Sequence, residues 1–76
     1  MAIEIAPRIT VDKEVRFGKP VIKGTRVPVS LIVGQAAAGL THDQIAAEYG
    51  IGVEDVRDAL GYAQAVLEQE TVRISK

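Results

Sequence analysis

Four cations crowd into the run Arg16-Phe17-Gly18-Lys19-Pro20-Val21-Ile22-Lys23-Gly24-Thr25-Arg26: Arg16, Lys19, Lys23 and Arg26. Guanidinium and ammonium groups on extended chain can neutralise phosphates, and a two-stranded ribbon is narrow enough to enter a major groove. The competing reading is that they are solvated charges that keep an edge strand from pairing with other chains. Catalysis has less to work with. Thr25 has no base in its own segment, so it reads as a turn or cap hydroxyl rather than a nucleophile. His42 is the single histidine and there are no cysteines, so neither a thiolate nor a zinc set is available. The glycines here do not precede a helix as a phosphate loop requires. The chemistry on offer is binding, with no cofactor, metal or small-molecule substrate, and the chain reads as a non-enzyme.

Charge is unevenly distributed along the chain. Residues 1–26 hold six cations (Arg8, Lys13, Arg16, Lys19, Lys23, Arg26) against three acids (Glu4, Asp12, Glu14), while residues 27–76 hold three cations against seven acids. The net charge of −1 therefore conceals a basic extended part and an acidic helical part. Arg26 has a further possible use: after a Gly-Thr turn its guanidinium could bond carbonyls or a carboxylate of the helices and anchor one to the other.

Residues 1–7 read as a loose lead-in. Ile9-Thr10-Val11 is a β-branched run and a strand candidate, Asp12-Lys13-Glu14 a turn, and Val15-Arg16-Phe17 alternates as a half-buried strand would. Gly18-Lys19-Pro20 interrupts, Val21-Ile22 resumes, and Lys23-Gly24-Thr25 makes a tight turn in which Gly24 can take φ > 0 without steric cost. Arg26 to Val29 returns extended, and Pro28, which cannot donate to a ladder, marks an edge or an end. Gly18, Pro20, Gly24, Thr25, Arg26 and Pro28 thus form a set chosen for backbone turns, a structural signature.

Helices follow. Pro28 or Ser30 opens the first, and Gly39 closes it as a C′ glycine. Its small residues Gly34, Ala37 and Ala38 would let another helix approach closely. Thr41 with Gln44 is a capping box, with Leu40 and Ile45 as its hydrophobic staple, and Gly50 is the stop. A third helix starts at Gly52 or Val53 with Glu54 and Asp55 in its first turn, where carboxylates meet the positive end of the helix dipole. Val53, Val56, Leu60, Ala63 and Leu67 recur at helical spacing. Thr71 to Lys76 alternates with β character, either as a frayed tail or as a strand that a partner completes. The expected layout is a single domain over 1–76, with an extended β element at 8–29, a helical core at 30–70 and a tail at 71–76.

Seventy-six residues bury only about 60% of the surface of the unfolded chain, so a lone domain is marginal. Its core must be aliphatic, and pairing with a second copy is the default expectation. No basic-then-apolar leader is present and no run is long enough to span a bilayer, which points to the cytoplasm.

From His42 to Leu60 the apolar, small and glycine positions fall where a helix-turn-helix needs them. The second helix of that pair offers Glu54, Asp55, Arg57 and Asp58 where base contacts are made, and three acids beside one cation repel phosphate. Arg57 is the candidate DNA contact there. The alternative is a three-helix scaffold used only for packing.

Arg8-Ile9-Thr10, the run Gly18 to Val29, Gly39 and the two-helix unit from Thr41 to about Ala63 together resemble the domain-of-unknown-function 433 family. The resemblance spans roughly residues 8–65. It implies a mainly α domain with a small N-terminal β element, of homeodomain-like or winged-helix-like helix-turn-helix type. It also implies an antitoxin-like partner of a PIN-like ribonuclease toxin. The leading reading is such a module, which could also bind its operator DNA. Where many relatives carry a polar cap before the last helix, this chain has Gly52. A stand-alone helix-turn-helix regulator and a purely structural homo-oligomerisation domain are the alternatives.

Overall fold

The structure, a computed structural model, describes residues 1–71; the expected tail after Thr71 lies outside the described residues. Three strands come first, β1 (Ile3–Ala6), β2 (Ile9–Val11) and β3 (Val21–Ile22), followed by three helices, α1 (Val29–Ala37), α2 (His42–Tyr49) and α3 (Val53–Glu68). The strands form one antiparallel sheet in the order β1-β2-β3. The expected balance of three helices and a small N-terminal β element is therefore observed.

Residues 1–7 are not a loose lead-in. Ile3 pairs with Val11, Glu4 with Thr10 and Ala6 with Ile9, across a bulge between Glu4 and Ala6. Pro7 and Arg8 make the turn, with Arg8 at φ 64°. Its strained backbone is held by the Arg8 N–H donating to Glu4 Oε2 at 2.9 Å. A second expectation also fails. Val15-Arg16-Phe17 is not a strand: Arg16–Gly18 form a 3-10 turn in which Arg16 (φ 52°), Phe17 (φ 58°) and Gly18 (φ 84°) are all left-handed. Asp12 dictates this, because its carbonyl accepts from Val15 N–H at 2.8 Å and its Oδ1 from Glu14 N–H at 2.9 Å. The chain is turned there before a period-two face can form, and three residues are too few to impose one.

The helix boundaries follow local chemistry. The Schellman bonds at the end of α1, Leu40 N–H to Gln35 O and Gly39 N–H to Ala36 O at 3.2 and 3.0 Å, need the left-handed φ of 99° that Gly39 supplies. Thr41 Oγ1 accepts from Gln44 N–H at 3.1 Å and Gln44 Oε1 from Thr41 N–H at 2.8 Å, the reciprocal box expected at the start of α2. Gly52 has no side chain to offer α3, so only the return half exists there: Gly52 N–H donates to Asp55 Oδ2 at 2.9 Å.

Among the described residues all of the buried apolar side chains are aliphatic. Ile9, Val21 and Ile22 come from the sheet, Val29 and Ile32 from α1, Ile45 and Ala46 from α2, and Val56 and Ala59 from α3. Ile9 and Ile22 are opposite each other across the β2–β3 pair, so the sheet presents one apolar pair to the helices. Each of these isoleucines and valines contributes about 1.5–3 kcal/mol on leaving water. Gln35 Nε2 donates to Tyr49 Oη at 2.9 Å, tying α1 to α2 at the edge of this core. No helix among the described residues is long and apolar enough to cross a membrane.

Candidate functional site

The glycine- and proline-rich stretch turns twice and then delivers the chain to α1. Gly24 sits at φ 77°. The turn around it closes through Thr25, whose N–H and Oγ1 both donate to the Ile22 carbonyl, at 3.0 and 2.8 Å, while Oγ1 accepts from Val27 N–H at 3.0 Å. Thr25 thus acts as a turn hydroxyl with donor and acceptor both used. Pro28 bridges to Val21 and takes the position before the first residue of α1, while Val29 N–H donates to the Pro20 carbonyl at 3.0 Å. Each proline lacks an N–H, and each carbonyl of the pair is used: Pro20 by Val29, Pro28 by Leu31 and Ile32.

The candidate cations are spread rather than gathered into one patch. Arg16 and Arg26 meet, with Arg16 Nε donating to the Arg26 carbonyl at 3.1 Å. Lys23 is drawn the other way, its Nζ 3.1 Å from Glu4 Oε1 on β1; the carboxyl of Glu4 lies below its usual range chiefly through the Arg8 N–H, with Lys23 adding to the effect. Lys19 stands exposed at the mouth of a groove described below. Arg57 is exposed on α3, where a shallow cleft of about 260 Å³ separates it from Ala6 and Pro7 at the β1–β2 turn. The outer face of α3 is therefore flanked by the hairpin tip, which narrows the approach of a nucleic-acid groove to Arg57.

The anchoring guanidinium expected of Arg26 belongs to Arg8. Arg26 is exposed, and among the described residues its side chain has no hydrogen-bond or ion-pair partner. Arg8 Nε instead donates to Asp55 Oδ1 at 2.5 Å and lies 4.0 Å from Asp58 Oδ2. Asp55 is only 7% exposed, with one oxygen on Arg8 and the other on Gly52 N–H. The Arg8 hydrogen bond holds its carboxyl below the usual range against the opposing pull of burial, with the Gly52 N–H helping, and the Arg8 guanidinium is raised in turn. One of the acids expected to repel phosphate is thus internal and compensated. Nothing local in the sequence pairs residues 47 positions apart; the only available signal was a carboxylate at the third position of a helix with no capping side chain before it.

A groove lies between α1 and the second half of α3. It is lined by Pro20, Val29, Val33, Tyr62, Ala63, Val66 and Leu67, has a volume of about 420 Å³, and carries Lys19 and Ser30 as its polar edge. Val33, Val66 and Leu67 are partly open to solvent there. Among the described residues no three His, Asp or Glu side chains converge to hold a metal. The arrangement is an apolar trough with one cation, Lys19, at its edge.

Comparison with known proteins adds three findings. The family described as "Protein of unknown function (DUF433)" matches residues 9–63. A Mycobacterium tuberculosis (strain ATCC 25618 / H37Rv) protein named "Putative antitoxin VapB45" is 35% identical over 52 residues, which is 68% of this chain and 22% of that protein. The X-ray crystal structure of Rv2018 from Mycobacterium tuberculosis is similar with a TM-score of 0.64 and 35% identity, over 68% of this chain and 24% of that one. This chain therefore matches about a quarter of the length of either.

Proposed function

The chain belongs to the DUF433 family, and from that premise we propose that it is an antitoxin-type binding module that pairs with a PIN-like ribonuclease toxin. The observation that carries this reading is the 35% identity to the protein named as an antitoxin. The geometry fits a binding role: the α1–α3 groove is apolar with Lys19 at its polar edge, and among the described residues no nucleophile–base pair is assembled beside it. In this reading the chain contributes recognition and no catalysis. Co-expression with a PIN-like ribonuclease encoded beside it is expected to give a complex that co-purifies and in which RNA cleavage is suppressed. A ribonuclease that neither co-purifies with the chain nor loses activity in its presence would overturn the reading.

A second reading, operator binding, is favoured by one observation. α2 and α3 are joined only through Gly50, Ile51 and Gly52, with Gly50 at φ 65° closing the turn, as a helix-turn-helix of homeodomain-like or winged-helix-like type would be. The proposed DNA contacts are Arg16, Lys19, Lys23 and Arg26, with Arg57 as the contact of the alternative in which α3 reads the groove. Binding to promoter DNA should then weaken steeply as salt rises, by a slope that counts the phosphates neutralised. Arg57→Ala should leave binding nearly unchanged, and Lys23→Ala with Arg26→Ala should abolish it, because the hairpin tip crowds Arg57. The reverse pattern would assign recognition to α3.

A further inference from the structure

Phe17 is the most exposed aromatic side chain in the described structure, at 97%, and it is held there by strained backbone. A non-glycine residue at positive φ costs roughly 1–2 kcal/mol, and Arg16 and Phe17 adopt that conformation in succession. The turn is also fastened from outside by the Arg16–Arg26 hydrogen bond. Strain of this kind persists where surrounding structure imposes it, and it clusters at places of function. Two residues on, Lys19 and Pro20 form one wall of the α1–α3 groove. An aromatic knob thus stands two residues along the chain from one wall of an apolar trough.

We propose that the groove takes Phe17 of a second copy of this chain, in a two-fold dimer in which each copy gives its knob and receives its partner's. Two-fold symmetry makes an interface self-complementary, residue i meeting j and j meeting i, and a knob adjacent to its own matching hole is the arrangement that such a dimer needs. A buried Phe covers ~150–250 Å². The knob given and the knob received together supply the apolar centre of an interface of about 800 Å² per partner.

Charge complementarity points to the same occupant. Of the two cations flanking the knob, Lys19 already edges the groove of its own copy, which leaves Arg16 to meet the close of the partner's α3, where the last turn has no basic residue and Glu68 and Glu70 stand. The carbonyl end of a helix attracts cations, so a partner's Phe17 arriving with Arg16 meets acids and the negative helix end. A dimer also compensates for the small core of a chain this short. The proposal gives the groove to a second copy, and the antitoxin reading then rests on the 35% identity alone.

The test is the mass of the intact protein by light scattering and sedimentation, wild type against Phe17→Asp and Val66→Asp. Wild type is expected to be a dimer at micromolar concentration, and each variant a monomer, with the dimer constant weakened ~100-fold or more. Because both positions are solvent-exposed, unchanged circular dichroism should accompany the loss. Mixing the two variants is the decisive measurement. One retains the groove and the other the knob, so the mixture recovers one of the two contacts and forms a heterodimer that neither variant forms alone. A monomeric wild type, a Phe17→Asp protein that remains dimeric, or a mixture that stays monomeric would each overturn the proposal. Dependence on Val66 of toxin binding by a monomeric wild type would overturn the proposal and reassign the groove to the toxin.

Discussion

Asp55→Ala is expected to lower the unfolding free energy by about 1–3 kcal/mol, the range for removing a charged hydrogen-bond acceptor. The lower half of that range is favoured because Arg8, its partner, is more than half exposed and screened by water. Two bonds are lost at once, one from the Arg8 guanidinium and one from Gly52 N–H. The second matters because Gly52 cannot cap α3 itself. Asp55→Asn separates the two, since an amide oxygen can still accept from Gly52 while the charge is gone. The pH dependence follows from the direction of the shift. The Asp55 carboxyl is held below its ordinary value in the folded protein, so its contribution is fully present above about pH 4, the unfolded value. It is lost as pH falls through the lower folded value. Urea titrations between pH 7 and pH 2.5 should show Asp55→Asn with a shallower acid decline than wild type. Some decline should remain, because Glu4 and Asp12 are also held below their usual range, each by a backbone N–H first of all. Equal acid slopes for variant and wild type would show that the ion pair does not contribute in solution.

Ile45→Ala should have the largest effect, about 2–5 kcal/mol for truncating a fully buried aliphatic side chain. Ile45 has no solvent exposure and shares one core cluster with Ile32 of α1 and Val56 of α3, so its methyl groups join α2 to the rest of the molecule. A domain of 76 residues is stable by about 4–11 kcal/mol at 0.05–0.15 kcal/mol per residue. The substitution therefore removes a large fraction of the total. Thermal unfolding by circular dichroism should show the midpoint falling by 10 °C or more, since about 4–8 °C accompanies each kcal/mol in a domain of this size. A shift of only 1–2 °C would mean that α2 packs weakly on the core and that α1 and α3 carry the fold without it.

The two positions illustrate different kinds of legibility. Ile45 was readable as the staple residue that follows a Thr41–Gln44 box, because capping is decided within one turn of chain. Asp55 was readable as a first-turn carboxylate but not as a buried one, because its burial depends on Arg8 arriving from the β1–β2 turn. The same division explains the two misread segments. β1 carries Ile3 and Ile5 with solvent on one side, and its existence depends on β2 lying alongside. Phe17 looks like a core aromatic by type and becomes an exposed one because the Asp12 turn rotates the chain before it.

By itself the sequence determined the family, the aliphatic composition of the core, the three helices with the Thr41–Gln44 box and the glycine stops of α1 and α2, and the turn at Gly24 and Thr25. These rest on backbone preferences and bonds between residues fewer than five apart, which are present before any tertiary contact forms. Only the tertiary structure decided which arginine anchors the sheet to α3, that Asp55 is compensated, and that Phe17 is exposed while an apolar trough opens between α1 and α3. Those depend on which distant segments meet. Composition cannot specify that, because a salt bridge or a groove belongs to two elements at once and has no signature in either.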